Sequence, residues 1–341
     1  MASRRRLRML GVPVNARTTD EALAALGRIG VEADIAELRL DLMDELDLER
    51  LLADRPCPII VTCRPPREGG LYWGSEESRL RLLQQAVRLG ADYVDVELDS
   101  VARIGERGAS RLIVSHHDPN GMPVDFAAHW RELRAAGADV VKLVGTASDV
   151  RQTLPVFEAY ARADVPTIAL AMGEAGLPTR VLALKYDACL LTYCSLEAGR
   201  GTARGQITLA EMLEVYNARQ IGPATAVYGL LGPRVEADRR REYNVALRAA
   251  GIDAVMVPFV VSQEGDAAEA VAAFRKLGVQ GYQVDPPHQE TVGQALDALD
   301  PSACRAGKVN TVYSRDDELV GAWAETPAER VELWLATDRA R

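Results

Sequence analysis

The sequence predicts an α/β protein: a closed (β/α)8 barrel followed by a smaller α/β domain. Three observations predict it. Eight short runs rich in Val, Ile or Leu recur between residues 7 and 220, and amphipathic stretches of helical period separate them. The punctuation Ile221-Gly222-Pro223 then precedes a second, differently ordered set of apolar runs. Strand–helix alternation implies a parallel sheet with helices outside, and eight such units in about 220 residues fit a closed barrel.

The eight runs are Leu7–Val12, Asp34–Leu40, Pro58–Cys63, Tyr93–Leu98, Arg111–His116, Asp139–Val144, Pro166–Ala171 and Cys189–Tyr193. Each has the length of a strand buried on both faces. Helical spacing predicts helices over Thr19–Ile29, Ser78–Leu89, Pro123–Ala136 and Val150–Ala163. In the second unit, Ala226–Leu231, Ala254–Phe259 and Gly281–Val284 read as extended, and Arg239–Ala250 and Glu269–Leu277 as helical. Val309–Tyr313 with Glu318–Ala322 reads as a hairpin, and Pro327–Ala336 as a closing helix. The expected domains are residues 1–222 and 223–341.

Composition narrows the function. With 48% hydrophobic and 26% charged residues among 341, the chain is ordinary for a soluble globular protein. No apolar run approaches the roughly 18–20 residues of a membrane span. The start, Met1–Arg6, is basic, but no apolar signal core follows it, so a cytoplasmic protein without membrane partners is expected. The net charge of -9 argues against nucleic acid as a partner. Five cysteines without a C-x-x-C pair predict reduced, mostly buried thiols, with neither a disulfide framework nor a metal site.

Lys142, Lys185, Lys276 and Lys308 are the four lysines among 40 basic residues. Lys142 falls inside an apolar strand, Ala138-Asp139-Val140-Val141-Lys142-Leu143-Val144. An ammonium buried there needs either a carboxylate partner or a chemical task. The task open to it is nucleophilic attack on a carbonyl, with burial and nearby arginines expected to lower its pKa and free the amine. Ser115-His116-His117-Asp118 ends the preceding strand. One of its two histidines should face the barrel mouth, where it could move protons beside an iminium. Glu37 and Arg39 alternate onto one face at the end of strand two. Arg64 and Glu68 follow strand three and Arg180 follows strand seven, an arginine fork being a natural clamp for a carboxylate. Gly199-Arg200-Gly201-Thr202-Ala203-Arg204-Gly205-Gln206 reads as a loop closing over a substrate, with Thr202 and Gln206 as donors.

Residues 1 to about 222 closely resemble type I 3-dehydroquinate dehydratase, the Schiff-base family of the shikimate pathway. The matching pieces are Glu37-Leu38-Arg39-Leu40-Asp41, Thr62-Cys63-Arg64 with Glu68-Gly69-Gly70, Tyr93-Val94-Asp95-Val96-Glu97, Ser115-His116-His117-Asp118, Val141-Lys142, Thr179-Arg180 and Gly205-Gln206, in the family's order. The resemblance implies an imine on Lys142, His117 as general acid/base and Glu68 as its carboxylate partner. It implies Glu37, Arg39 and Arg64 as substrate-hydroxyl and charge-positioning residues, and Arg180 as the carboxylate clamp. Thr202 and Gln206 match a lid serine and glutamine, the serine replaced by a threonine. His116 stands where the family commonly has asparagine. The implied substrate is 3-dehydroquinate, the product 3-dehydroshikimate, the cofactor none, and the expected assembly a homodimer. A class I aldolase or transaldolase also uses a barrel lysine and is the alternative enzyme.

Residues 226–336 resemble the substrate-binding domain of shikimate dehydrogenase through Tyr228-Gly229-Leu230-Leu231-Gly232, Val257-Pro258-Phe259, Pro287-His288 and Val309-Asn310-Thr311. The functional positions depart from that family. Gln289 stands for the catalytic lysine, Glu236 and Asp238 for two serines that hold a carboxylate, and Trp323-Ala324-Glu325 for Asn-Thr-Asp. The expectation is a non-catalytic interaction or regulatory module that lacks the family's nucleotide-binding domain. The alternative is a dehydrogenase completed by a separate nucleotide-binding chain.

Overall fold

The computed structural model describes residues 8–53, 55–263 and 265–338. The basic start Met1–Arg6 and Leu7, the first residue of the expected first strand, lie outside the described residues.

Eight parallel strands form the first sheet: β1 (Met9–Val14), β2 (Ile35–Arg39), β3 (Ile59–Thr62), β4 (Tyr93–Glu97), β5 (Arg111–His117), β6 (Val140–Thr146), β7 (Thr167–Met172) and β8 (Leu191–Tyr193). Their order is β7-β6-β5-β4-β3-β2-β1-β8. The cylinder is nearly closed: β7 and β8 meet through a bridge between Thr167 and Cys189 at their lower ends. Higher up, β7 bonds elsewhere. The Ala171 amide donates to Thr179 Oγ1 at 3.0 Å, and the Gly173 amide to the Arg204 carbonyl at 3.2 Å.

Alternation sorts each strand into two faces. Ile35, Ile60, Tyr93, Ile113, Val140, Ile168 and Leu191 pack together as the apolar floor of the interior. Two residues further along, Glu37, Thr62, Asp95, Ser115, Lys142 and Tyr193 replace that floor with polar groups, all buried. The intervening residues, such as Ala36, Leu38, Val61, Val94 and Val141, belong to the core beneath the helices.

The helices around the barrel are α1 (Thr19–Glu32), α2 (Leu48–Ala53), α3 (Glu76–Arg88), α4 (Phe126–Ala135), α5 (Leu154–Arg162), α6 (Leu177–Leu182) and α7 (Leu209–Glu214). Their starts have local causes. Thr18, Ser75 and Asp125 accept backbone N–H bonds as caps of α1, α3 and α4. The stretch expected as one helix over Val150–Ala163 divides, because Pro155 falls in the first turn of α5 and a 3-10 turn, Val150–Thr153, precedes it. Between β4 and β5 the crossover is a 3-10 turn, Leu98–Arg103.

The second unit comprises β9 (Ala226–Gly232), α8 (Ala237–Ala249), β10 (Ala254–Val260), α9 (Asp266–Arg275), β11 (Val279–Val284), β12 (Ala298–Leu299), α10 (Pro301–Ala306), β13 (Thr311–Arg315), β14 (Glu318–Ala322) and α11 (Pro327–Asp338). Its sheet runs β10-β9-β11-β13-β14-β12. The β13–β14 hairpin turns on Asp316 and Asp317, both with positive φ, the mirror-image geometry that suits strand twist. The sequence pattern did not foretell β12, which is only 2 residues long, or α10.

The two units touch along one side. Val260 packs with Ala147, Ala171 and Ala175 of the barrel. Phe274 meets Phe157 edge-on, centroids 6.1 Å apart. Arg151 pairs with Asp266 and with Glu269. The five cysteines are free, and Cys63, Cys189 and Cys194 are buried. Among the described residues, no helix is long and apolar enough to cross a membrane.

Candidate active site

A cavity of about 470 Å³ opens at the C-terminal ends of the barrel strands. All nine residues expected from the sequence line it: Glu37, Arg39, Arg64, Glu68, His117, Lys142, Arg180, Thr202 and Gln206. They come from the ends of five strands and from the loop after β8, so only the rolled-up sheet brings them together.

Lys142 is 3% exposed and uses all three N–H bonds. They point to Asp95 Oδ2 at 2.8 Å, Glu37 Oε1 at 3.0 Å and Tyr193 Oη at 3.1 Å. This overturns the expectation that its pKa is lowered. Burial does act that way, but Asp95 and then Glu37 outweigh it, and the ammonium is held above its ordinary range. Arg64 also acts in the lowering direction, but more weakly than either carboxylate.

Those pairings form one network. Arg64 pairs with Asp95 at 2.8 Å and Glu97 at 2.6 Å, and donates to Ser115 Oγ at 2.8 Å. Arg79, buried beneath α3, pairs with Glu97 from the other side. Burial would raise the Asp95 and Glu37 carboxyls. Arg64 and then Lys142 hold Asp95 down instead, and Lys142 does the same for Glu37. Arg39 binds Asp41 with two N–H bonds, at 2.9 and 2.7 Å. Arg39 and Arg64 thus line the cavity with guanidinium groups that already have carboxylate partners.

His117 and Glu68 make the second group. Glu68 Oε2 faces His117 Nδ1 at 3.1 Å and accepts the His117 backbone N–H at 3.1 Å. Burial first, and Arg64 next, hold the imidazole down to about 4 against the pull of Glu68, so it is neutral at pH 7. Glu68 sits at about 2, because the two histidines and Arg64 outweigh its burial. His116 lies outside the cavity lining. Its Nδ1 is 3.5 Å from Glu68 Oε1, its ring is 5.3 Å from that of His129, and Glu68 raises its pKa.

Arg180 differs from the cavity's two paired arginines, Arg39 and Arg64, and from Arg204, which is exposed. It is 1% exposed, pairs with no carboxylate among the described residues, and has a buried Nε without a partner. Among the described residues its one side-chain bond is a long one, 3.4 Å, to the Arg204 carbonyl. Burial pulls its guanidinium down to about 10. An uncompensated cation aimed into a cavity is a site for an anion.

The loop carrying Thr202 and Gln206 folds on itself through Thr202 N–H to Gln206 Oε1 at 2.9 Å. It docks against the end of β7 at Gly205, whose φ is +71 and where a Cβ would lie 2.2 Å from the Gly173 carbonyl oxygen. Only glycine fits there.

Asp95, Glu97, Ser115, Arg79 and Tyr193 complete the network and were not picked out as site residues from the sequence. Alternation from Tyr93 places Asp95 and Glu97 inward, and that was the available signal.

In the second unit, Gln289 Nε2 donates to the Val284 carbonyl at 3.0 Å. Glu236 immediately precedes α8 without a capping bond from its side chain and pairs with Arg234, and Glu325 accepts from Trp323 Nε1. Arg239 spans Asp285 and Gln283 at the end of β11.

Residues 10–223 match the family model for type I 3-dehydroquinase. Residues 241–312 match that for the shikimate dehydrogenase substrate binding domain, a span that includes Gln289 but neither Glu236, Asp238 nor Glu325. The chain is 35% identical over 229 residues to a 3-dehydroquinate dehydratase of Desulfotalea psychrophila, covering 63% of this chain and 98% of that one. It is 33% identical over 329 residues to a bifunctional 3-dehydroquinate dehydratase/shikimate dehydrogenase of Arabidopsis thaliana. That alignment takes in 92% of this chain but 54% of the relative, so this chain spans about half its length. A solved structure of a dehydroquinate dehydratase and shikimate dehydrogenase from S. pombe shares the fold, with a TM-score of 0.53 at 24% identity, over 93% of this chain and 64% of that one.

Proposed function

Since the chain belongs to the type I 3-dehydroquinase family through residues 10–223, we propose that its barrel dehydrates 3-dehydroquinate to 3-dehydroshikimate through an imine on Lys142. The family match favours this lyase over the aldolase alternative. The barrel is taken to end at residue 222, and the second domain to span 223–341.

The charge on Lys142 is compatible with the chemistry. Imine formation from an ammonium and a ketone gives a protonated iminium and water, so the cation is conserved. Asp95 and Glu37, which hold the ammonium, then hold the iminium. The neutral amine exists only between these states, and its proton has a base in the same cavity, because His117 is neutral. His117 returns that proton when water leaves.

The iminium is an electron sink that makes the neighbouring C2 proton acidic. His117, held by Glu68, removes it to give an enamine, then protonates the departing C1 hydroxyl. Hydrolysis frees the product and the lysine. Arg180 would take the substrate carboxylate, with the 202–206 loop closing beside it. The observation that carries this reading is the convergence of a shielded amine, a neutral imidazole and an unpaired guanidinium in one cavity.

Borohydride added with dehydroquinate should fix ligand to Lys142 and to none of Lys185, Lys276 and Lys308. Lys142→Ala should abolish both the adduct and the absorbance of the enone product. An adduct on another lysine, or undiminished turnover in the variant, overturns the reading.

For the second domain we propose a non-catalytic module. An amide has no proton to exchange at useful pKa, and Gln289 is already bonded to a strand carbonyl. Incubation with shikimate and a nicotinamide cofactor should give no oxidation. Measurable oxidation would restore the dehydrogenase alternative.

A further inference from the structure

We propose that Tyr193 is a further catalytic residue, carrying a proton between the Lys142 nitrogen and the substrate's ketone oxygen as the imine forms and is later hydrolysed. This rests on the imine reading above.

The inference starts from the three partners of Lys142 Nζ. Asp95 and Glu37 are carboxylates kept ionised by their neighbours, so they can only accept. Tyr193 Oη, at 3.1 Å, is the one partner with a proton to give. The phenol stays protonated because burial, and then Glu37, raise its pKa. Among the described residues its proton has no acceptor. The ring is fixed in the barrel wall, buried with Leu191 and Ile35, its centroid 4.8 Å from Nζ. When Lys142 sheds a proton, Tyr193 alone of the three can turn from acceptor to donor and keep its contact.

The attack creates a need for such a group. The nitrogen lone pair forms the C–N bond while the C=O pair moves to oxygen. Nitrogen then carries one proton too many and oxygen one too few. Direct transfer between them closes a strained four-membered ring. A hydroxyl placed between them closes a six-membered one. Tyr193 gives its proton to the oxygen and takes one from the nitrogen, so the phenol is regenerated and the neutral carbinolamine formed. No external acid is consumed. Hydrolysis runs the same path backwards.

The test is timed borohydride quenching of the full chain mixed with 3-dehydroquinate, comparing native protein with Tyr193→Phe. The variant should give the same adduct mass on Lys142, formed on the order of 10²-fold more slowly. Tyr193→3-fluorotyrosine keeps the hydroxyl, and it should return the rate to within about tenfold of native while moving its pH dependence to lower pH. Equal rates in native and Phe proteins overturn the proposal. So does a fluorotyrosine protein as slow as the Phe one, which marks a packing role. If the Phe variant does not fold, the fluorotyrosine comparison decides alone: a displaced pH dependence supports the relay and an unchanged one refutes it. If native protein forms no adduct, the imine reading itself fails, and the two failures are thereby told apart.

Discussion

Glu68 grips His117 at two points, its Oε2 lying 3.1 Å from both the backbone nitrogen and Nδ1 of the histidine. The backbone contact anchors the carboxylate to the end of β5. The ring contact sets the imidazole's orientation and leaves Nε2 for the substrate. Glu68→Gln keeps the shape but removes the charge that would balance a protonated ring. Turnover should fall by roughly 10²–10⁴-fold, while the borohydride adduct on Lys142 persists. Steady-state rates beside adduct mass measure this, and an undiminished kcat would remove Glu68 from the mechanism.

The neutral state of His117 sets the acid limb of the pH profile. Its pKa lies at about 4, so the free enzyme keeps a competent base well below the ordinary histidine range. The acid limb of kcat/KM should therefore lie below pH 6. Stability follows the same group. Between pH 4 and 6.5 the unfolded chain binds a proton there that the folded chain refuses, so His117 costs stability as pH falls through that window. An acid limb at or above 6.5 would contradict the burial argument.

Arg180 is the place where stability and binding should part. Among the described residues its buried side chain meets no counter-charge, which is costly to stability. Arg180→Met should raise the melting temperature by about 2–4 °C for each kcal/mol of relieved desolvation. The same change should lower kcat/KM by on the order of 10²–10³-fold, mostly through KM. A variant that melts lower than native would mean the guanidinium is compensated in solution.

A chain ending at residue 222 should melt several degrees below the full protein, since the contact with Phe274 on Phe157 and the Arg151 pairs are lost. Turnover per folded molecule should survive, because every residue lining the cavity lies within residues 37–206. Calorimetry and particle mass give the answer. A fragment with unchanged stability and unchanged oligomeric mass would leave the second domain without a structural or interaction role.

Much of the site was legible because a strand alternates. Lys142 interrupts an apolar run and Glu37 and Arg39 share a face, so the inward set follows from spacing. The protonation state of Lys142 was not legible. It depends on Asp95, 47 residues earlier, and on Tyr193, 51 residues later, which meet the lysine only through the register of the closed sheet. Arg64 shows the same limit. A sequence gives an arginine at a strand end, while its commitment to Asp95 and Glu97 comes from the neighbouring strand. The contrast with Arg180 is likewise tertiary, since both look alike as residues after a strand. In the second domain the long strands were readable, whereas β12 is shorter than one alternation and carries no periodic signal.

The incomplete joint between β7 and β8 has a mechanical consequence. Above the Thr167–Cys189 bridge, the amide of Gly173 holds the Arg204 carbonyl, so the covering segment is itself part of the barrel's stitching. If the loop opens to admit substrate as proposed, it must break that bond and free the end of β7 at the same stroke. Admission of a guest would then also loosen the wall behind Arg180.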